Sequence, residues 1–363
     1  MRIAMLMHTN TPWAPLYARW FLARGDEVLV VSFHPDRLAG VPSVFLGIEP
    51  FDKYRNKHVY GTRLPRVRRL LREFAPDVVF APYLLSNGLM AAAVAPAPIV
   101  VAAMGGDVLD HPDHPFWRRA AKRALVRLAC RRARSVVSVA PHLSEALRAA
   151  RVPAAKIVEF PIGVDRARFH PEPEHPAQPR DPLIVCTRNH MPVYDIPTLL
   201  EALAALAKRG RAFRASFAGG GNLLEAHRRR VSELGLEGRV ELLGLLPHEA
   251  LPDLLRRADV YVSAALSDGT SAALLEALAT GLLPVVTDVP ANRGWVEPGR
   301  TGLLFPPGDV PALAAALERA LGDGDLRARA RREGPLRVAE RGDLEVNMGR
   351  LAALLEPAAQ LGT

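Results

Sequence analysis

The chain has 363 residues, 49% hydrophobic and 23% charged, which excludes global disorder, a collagen-like fibre and a small disulfide scaffold and allows two ordinary domains. Its two cysteines, Cys130 and Cys186, are too sparse for a disulfide framework, a structural zinc site or an iron–sulfur cluster, and a reducing cytoplasm is the expected setting. The net charge of +9 is uneven: Met1–Phe169 holds 25 Lys and Arg against 13 Asp and Glu, net +12, while the remainder holds 22 against 25, net −3, so the two halves are expected to face different partners.

The first apolar run, Ile3–Met7, is too short for a signal-peptide core and reads as a buried strand. Strand-like runs follow at Glu27–Ser32, Asp77–Ala81, Ile99–Ala103, Ser135–Val139 and Lys156–Phe160, with basic or alanine-rich helical stretches between them. The uncharged stretch Val78–Gly106 has the length of a membrane span. Pro82, Asn87, Gly88, Pro96 and Pro98 divide it into strand, helix (Ser86–Val94) and strand. His170–Pro182 has five prolines in thirteen residues and reads as a linker. A second alternating series runs through Leu183–Cys186, Arg214–Ala218, Val240–Leu243, Val260–Ser263, Leu283–Thr287 and Gly302–Phe305, with helices such as Asp195–Lys208 and Ser271–Ala279. The expected architecture is α/β. It has a Rossmann-like first domain over 1–168, a linker over 169–182, a second Rossmann-like domain over 183–342, and a helix in 343–363 returning to the first domain. Tandem parallel sheets of this kind are expected to place a ligand site in a cleft at the carboxyl ends of their strands.

The most informative stretch is Ser263–Thr287. After the strand, Ser267–Ser271 forms a small polar turn in which Gly269 permits close backbone approach. Free N–H groups at Thr270–Ala272, at the positive end of the following helix, make an anion site. Glu276, eight residues beyond Asp268, falls one to two turns into that helix. One carboxylate then suits a sugar and the other a ribose, with phosphates between. The alternative is an ordinary helix cap with a solvated Glu276.

Asp268-Gly269, Glu276 and the run Ala277–Val286 together resemble the donor-site signature of family 4 glycosyltransferases of the GT-B fold. Pro161–Asp165 with Phe169, Phe217–Gly221, Arg239–Leu246 with Leu254, Asp259 and Val260, and Gly299 with Gly302–Leu304 resemble further segments of that family, in the same order. The resemblance implies a retaining transferase that uses a nucleoside-diphosphate sugar, a UDP-sugar first among them, without a metal or other cofactor. It implies donor contacts from Arg188, Asn189, Tyr194, Gly219, Gly220, Leu245, Asp268, Gly269, Thr270, Ser271 and Glu276. Arg188 and the Thr270–Ser271 amides would hold the diphosphate, Glu276 the ribose, and Asp268 with Gly269 the sugar.

Three positions depart from the family pattern. Asp268 is one methylene shorter than the usual glutamate. Tyr194 stands where a lysine commonly assists the arginine, and is expected to donate a neutral hydrogen bond. Met104–Asp107 lacks the usual histidine of the first domain, and Asp107 is the candidate to replace its contact with the donor sugar, which places it with Asp268 and Arg188 as a catalytic candidate; the alternative is that Asp107 caps the following helix. His8, Thr9 and Asn10, after the first strand, and Gly105 and Gly106 are candidate acceptor or sugar contacts.

His111-x-x-His114 and Asp323-Gly324-Asp325 read as a loop and a turn rather than metal sites. Arg118–Arg134 has eight basic residues and no acidic one, and Arg63–Arg72 adds five. They suggest peripheral contact with an anionic membrane, at its cytoplasmic face, or with an acidic acceptor. Nucleic acid is not expected, because the few aromatic residues are not interleaved with the basic ones. The acceptor stays open among a lipid-linked glycan, a small metabolite and a thiol. Two other readings also stay open: a nucleotide-sugar-binding protein without transfer, and a sugar-nucleotide epimerase.

Overall fold

The computed structural model of the chain describes residues 1–11, 13–49, 58–110, 114–172 and 181–356. The expected linker and the segment 343–363 lie outside the described residues at 173–180 and beyond 356, as does His111. The chain forms two units: Met1–Pro161 together with the chain from Val346 onward, and Ile162–Glu345.

The first unit is built on seven parallel strands: β1 (Arg2–Leu6), β2 (Glu27–Ser32), β3 (Ser43–Phe45), β4 (Val78–Pro82), β5 (Ile99–Ala103), β6 (Ala133–Ser138) and β7 (Ile157–Glu159). Their order in the sheet is β3-β2-β1-β4-β5-β6-β7. β4 and β5 are buried along their whole length, as apolar runs without alternation are in a sheet covered on both faces. The two strands of Val78–Gly106 are therefore core, and no helix among the described residues is long and apolar enough to cross a membrane. Helices Leu64–Phe74, Leu89–Val94 and Phe116–Arg131 share one core through Val67, Leu71, Met90, Ala91, Val126 and Ala129. β3 has no counterpart in the sequence reading, since a three-residue, half-buried edge strand carries no apolar run. The expected helix from Ser86 instead opens as a π-turn, Leu84–Gly88, before continuing as Leu89–Val94.

The second unit has six parallel strands: β8 (Leu183–Cys186), β9 (Arg214–Ala218), β10 (Val240–Gly244), β11 (Val260–Ser263), β12 (Leu283–Thr287) and β13 (Leu303–Phe305), ordered β10-β9-β8-β11-β12-β13. The expected boundary at 168 moves to Pro161. Val164 bridges Asp343 and donates its N–H to the Gly342 carbonyl oxygen at 2.8 Å, and Phe169 is buried in the second unit's core. Gly163 is at φ +100°, and a Cβ there would lie 2.8 Å from that same oxygen. The segment that resembles a family motif is thus stitched into the second unit.

In each sheet the strand order reverses once, between β1 and β4 and between β8 and β11. Loops leaving these strands at their carboxyl ends diverge and leave a crevice, the usual place for a ligand in an open α/β sheet.

Candidate functional site

Arg188 lies two residues beyond β8, and Asp268 five beyond β11, so both leave the strands that flank the second reversal. The Arg188 side chain is 7% exposed, and its guanidinium donates to Asp268 Oδ2 at 2.5 Å and to Ser271 Oγ at 2.8 Å. Burial opposes its charge, and the Asp268 carboxylate more than restores it, so its pKa lies above the ordinary value. The buried Nε has no hydrogen-bond partner among the described residues. The Tyr194 ring lies under the Arg188 guanidinium carbon at 4.1 Å, a cation–π contact that fixes the plane of the fork.

Ser271 is the N-cap of helix Ala272–Ala279, where its Oγ accepts from the Leu274 N–H at 3.2 Å. One hydroxyl therefore caps the helix and holds the arginine. The amide end of that helix and the cation stand together, a pairing suited to phosphate. Thr270 lies in the same turn, and Gly269 donates its N–H to Asp268 Oδ1 at 2.9 Å.

Glu276 is buried within the helix, and its Oε1 lies 2.8 Å from His248 Nε2. This hydrogen bond raises the His248 pKa, against the opposing pull of burial. His248 was not among the sequence candidates. It sits on the loop after β10, 28 residues from its partner, and the sequence signal for it was its position at a strand's carboxyl end.

The Gly219–Gly221 turn packs on the Arg188–His190 backbone. A Cβ on Gly219 would lie 2.2 Å from the Arg188 carbonyl oxygen, and Gly220 donates its N–H to Asn189 Oδ1 at 3.2 Å. Close approach to its own chain is enough to require the glycine at 219. Leu245 is 78% exposed beside this turn, with Met191, Val193 and Leu266 also exposed on neighbouring strand exits.

In the first unit the carboxyl ends of β1 and β4 hold a different set. His8 Nε2 lies 3.1 Å from Ser86 Oγ, and its ring contacts those of His34, Tyr60 and Tyr83 at 5.6, 6.4 and 5.6 Å. Burial pushes the Tyr60 hydroxyl up to about 12. Tyr83 is at φ +68°, a backbone conformation costing about 1–2 kcal/mol for a residue with a Cβ. Thr9 is turned into the fold, its hydroxyl 3.0 Å from Ser32 Oγ and donating to the His34 carbonyl at 3.1 Å, whereas Asn10 is exposed.

Asp107 accepts the backbone N–H groups of Leu84 (2.8 Å), Gly105 (2.8 Å) and Met104 (3.1 Å). Burial holds its pKa above the ordinary carboxylate value, against the pull of those N–H groups. It does not cap the next helix, which starts at Phe116. It clasps the turn after β5 to the strained turn after β4. Gly105 belongs to this clasp, and Gly106 is exposed. Asp323, by contrast, is the N-cap of helix Gly324–Arg341, accepting from the Leu326 N–H at 2.9 Å.

The model of glycosyltransferase family 4 matches residues 8–168, and that of glycosyl transferases group 1 matches residues 170–337. The chain is 33% identical over 208 residues to the GDP-mannose-dependent alpha-(1-6)-phosphatidylinositol monomannoside mannosyltransferase of Mycolicibacterium smegmatis, which covers 52% of each protein. It is 26% identical over 338 residues to the sulfoquinovosyl transferase of Arabidopsis thaliana, covering 86% of this chain and 63% of that one. The chain thus spans about half the length of the first relative and under two thirds of the second. Among solved structures, sucrose-phosphate synthase from Thermosynechococcus elongatus superposes with a TM-score of 0.83 at 19% identity, covering 98% of both chains. Anabaena HepE in complex with UDP-glucose superposes with a TM-score of 0.77 at 20% identity, covering 98% of this chain and 99% of that one.

Proposed function

The chain belongs to the family 4 type of glycosyltransferases, with the two parallel-sheet units of the GT-B fold, and on that premise we propose that it transfers a sugar from a nucleoside-diphosphate sugar to an acceptor. The observation that carries this reading is the buried Arg188 guanidinium, held by Asp268 and Ser271 at the amide end of helix Ala272–Ala279. A cation fixed in that position stabilises a departing diphosphate without having to reorganise. Glu276, oriented by His248, takes the ribose hydroxyls, and Asp268 with Gly269 takes the sugar. Transfer is proposed to retain the anomeric configuration and to need no metal. The first unit is proposed to take the acceptor, a lipid-linked glycan or small metabolite, and to contact an anionic membrane.

Arg188→Ala and Glu276→Ala are each expected to cost at least roughly tenfold in turnover; wild-type rates in both would remove the site assignment. The proposed donor is a UDP-sugar. A thermal-shift panel of UDP, GDP, ADP and CDP tests it, and GDP alone raising Tm would move the reading to a GDP-sugar. A proton spectrum of the product's anomeric centre tests retention, and turnover in EDTA tests metal independence.

A further inference from the structure

Helix Phe116–Arg131 buries only Val126, Ala129 and Cys130 of its 16 residues. At about 100° per residue these three fall on one side, and Trp117, Ala121, Ala124 and Leu128 line up on the opposite side. That line faces solvent: Trp117 is 64% exposed and Leu128 51%, with Leu125 at 43% beside them and Phe116 at 79% at the helix start. An apolar stripe with two exposed aromatics is the mark of an interaction surface, not of a solvated helix face.

Arginines border the stripe, and the structure sorts them. Lys122 donates to the Gly106 carbonyl at 2.9 Å, Arg123 pairs with Asp110 at 2.6 Å, Arg127 donates to the Ala150 carbonyl at 3.1 Å, and Arg132 to that of Ala92 at 2.7 Å. These four are tied into the fold. Arg118 and Arg131, exposed on the two flanks of the stripe, make no such bond among the described residues, and the Arg118 guanidinium lies 5.2 Å from the Trp117 ring. Exposed Arg66, Arg68 and Arg72 add to them from helix Leu64–Phe74, which shares the same core.

We propose that helix Phe116–Arg131 docks the chain in the plane of an anionic lipid bilayer. Trp117 and Leu128 enter the boundary between headgroups and acyl chains, and Arg118 and Arg131 meet the lipid phosphates. This names the surface for the proposed membrane contact of the first unit and rests on that reading. Two alternatives fit less well. A second copy of the chain would set the +12 of Met1–Phe169 against itself. A nucleic acid would satisfy the arginines and leave the stripe in water. A bilayer complements both at once. Lys122 also links the helix to Gly106, in the turn that Asp107 clasps, so docking brings the candidate acceptor loops close to the lipid surface.

The test is sedimentation of the full chain with vesicles of phosphatidylglycerol and phosphatidylcholine in equal parts, and with phosphatidylcholine alone. Binding to the anionic vesicles only is expected, weakening as salt rises. Trp117→Ala with Leu128→Ala should weaken it by roughly tenfold or more, and Arg118→Glu with Arg131→Glu by at least roughly fivefold for each arginine lost. Tm should change little, because all four side chains lie on the exposed side of the helix and none belongs to the core of the first unit. Full binding by the Trp117/Leu128 variant would overturn the proposal, as would equal binding to neutral vesicles. Self-association lost in that variant, with no vesicle binding, would also overturn it in favour of a dimer face. The nucleotide-dependent Tm shift of the same preparation separates the two proposals. A chain that binds vesicles but no nucleotide refutes the transferase reading and keeps this one; a chain that answers nucleotide and ignores vesicles does the reverse.

Discussion

At the reversal of the second sheet, between β8 and β11, the strand exits carry Arg188 and Asp268; at the reversal of the first, between β1 and β4, they carry His8 and Tyr83. The topology is the same and the chemistry is not. The second crevice holds the Arg188–Asp268 ion pair, a helix amide end and a second carboxylate, all but Arg188 within nine residues of chain, Asp268 to Glu276. The first holds aromatic and imidazole rings from three loops and the short helix His58–Thr62, braced by a carboxylate that accepts backbone N–H groups. A charged, preorganised crevice suits an anionic ligand of fixed shape, such as a diphosphate. A ring-lined crevice over a strained turn suits a ligand that stacks. One fold rule therefore yields two sites whose failures under mutation should differ in kind.

The largest difference is expected at Asp268. Asp268→Ala leaves the Arg188 guanidinium buried without its carboxylate, which costs about 3–5 kcal/mol. A phosphate can take the carboxylate's place, so pyrophosphate should raise the variant's Tm more than the wild type's. Calorimetric melts with and without pyrophosphate check this. An unchanged Tm, or equal rescue in both proteins, would say that the pair does not hold the anion site.

Asp107 is the matching carboxylate of the first unit, and its loss should read differently. Asp107→Ala strips an acceptor from three backbone N–H groups, at a cost of about 1–3 kcal/mol. It should raise the acceptor KM and leave nucleotide affinity unchanged. Asp107→Asn keeps one carbonyl oxygen and should recover much of the stability. If Asp107 instead touches the donor sugar, Asp107→Asn will lose turnover at full Tm.

The second crevice was legible because its residues lie in one continuous stretch. Asp268, Ser271 and Glu276 sit on a turn and the helix it caps, and helical spacing alone relates them. Arg188 needed the family resemblance, since its contact with Asp268 spans 80 residues. His248 escaped because no periodicity relates it to Glu276. His34, Tyr60 and Tyr83 escaped for the same reason: a parallel sheet gathers its strand exits at one edge, and nothing in the intervening sequence reports the meeting. The stacking of Tyr194 on Arg188 was hidden differently, because a tyrosine in place of a lysine suggests a hydrogen-bond donor, while a ring contact depends on geometry. The alternating strands were clear throughout, and only the three-residue β3, half-buried and without an apolar run, was not.

Next in size is the titration of His248, whose pKa Glu276 raises above the ordinary 6.5. A raised pKa contributes stability that is full below 6.5 and is lost as pH rises through the folded value. Glu276→Gln removes the charge that causes it, so the His248 ring protons in that variant should titrate nearer the ordinary value. An unchanged titration would mean that the 2.8 Å contact does not hold Glu276 in place.

The smallest effect expected at neutral pH lies just behind the Arg188 loop. His190 and His227 face each other through their Nδ1 atoms at 2.8 Å, both buried, and His190 Nε2 has no partner among the described residues. Burial first, and then the neighbouring His227 and Arg228, push His190 down to about 4. Two neutral rings share one proton between the facing nitrogens; a further proton would set buried like charge against its neighbour. The unfolded chain takes up that proton at its ordinary 6.5, so stability is complete above 6.5 and falls as pH drops towards 4. The His190 backbone also receives the Leu223 N–H and donates to the Gly220 carbonyl, so the strain is delivered to the turn that packs on Arg188. His190→Gln should therefore flatten the decline of Tm between pH 6.5 and 4 and leave Tm at pH 7.5 almost unchanged. The second crevice would then lose nucleotide affinity on acidification in the wild type more than in the variant. Parallel acid curves for the two proteins would place the acid sensitivity elsewhere and leave this pair as packing alone.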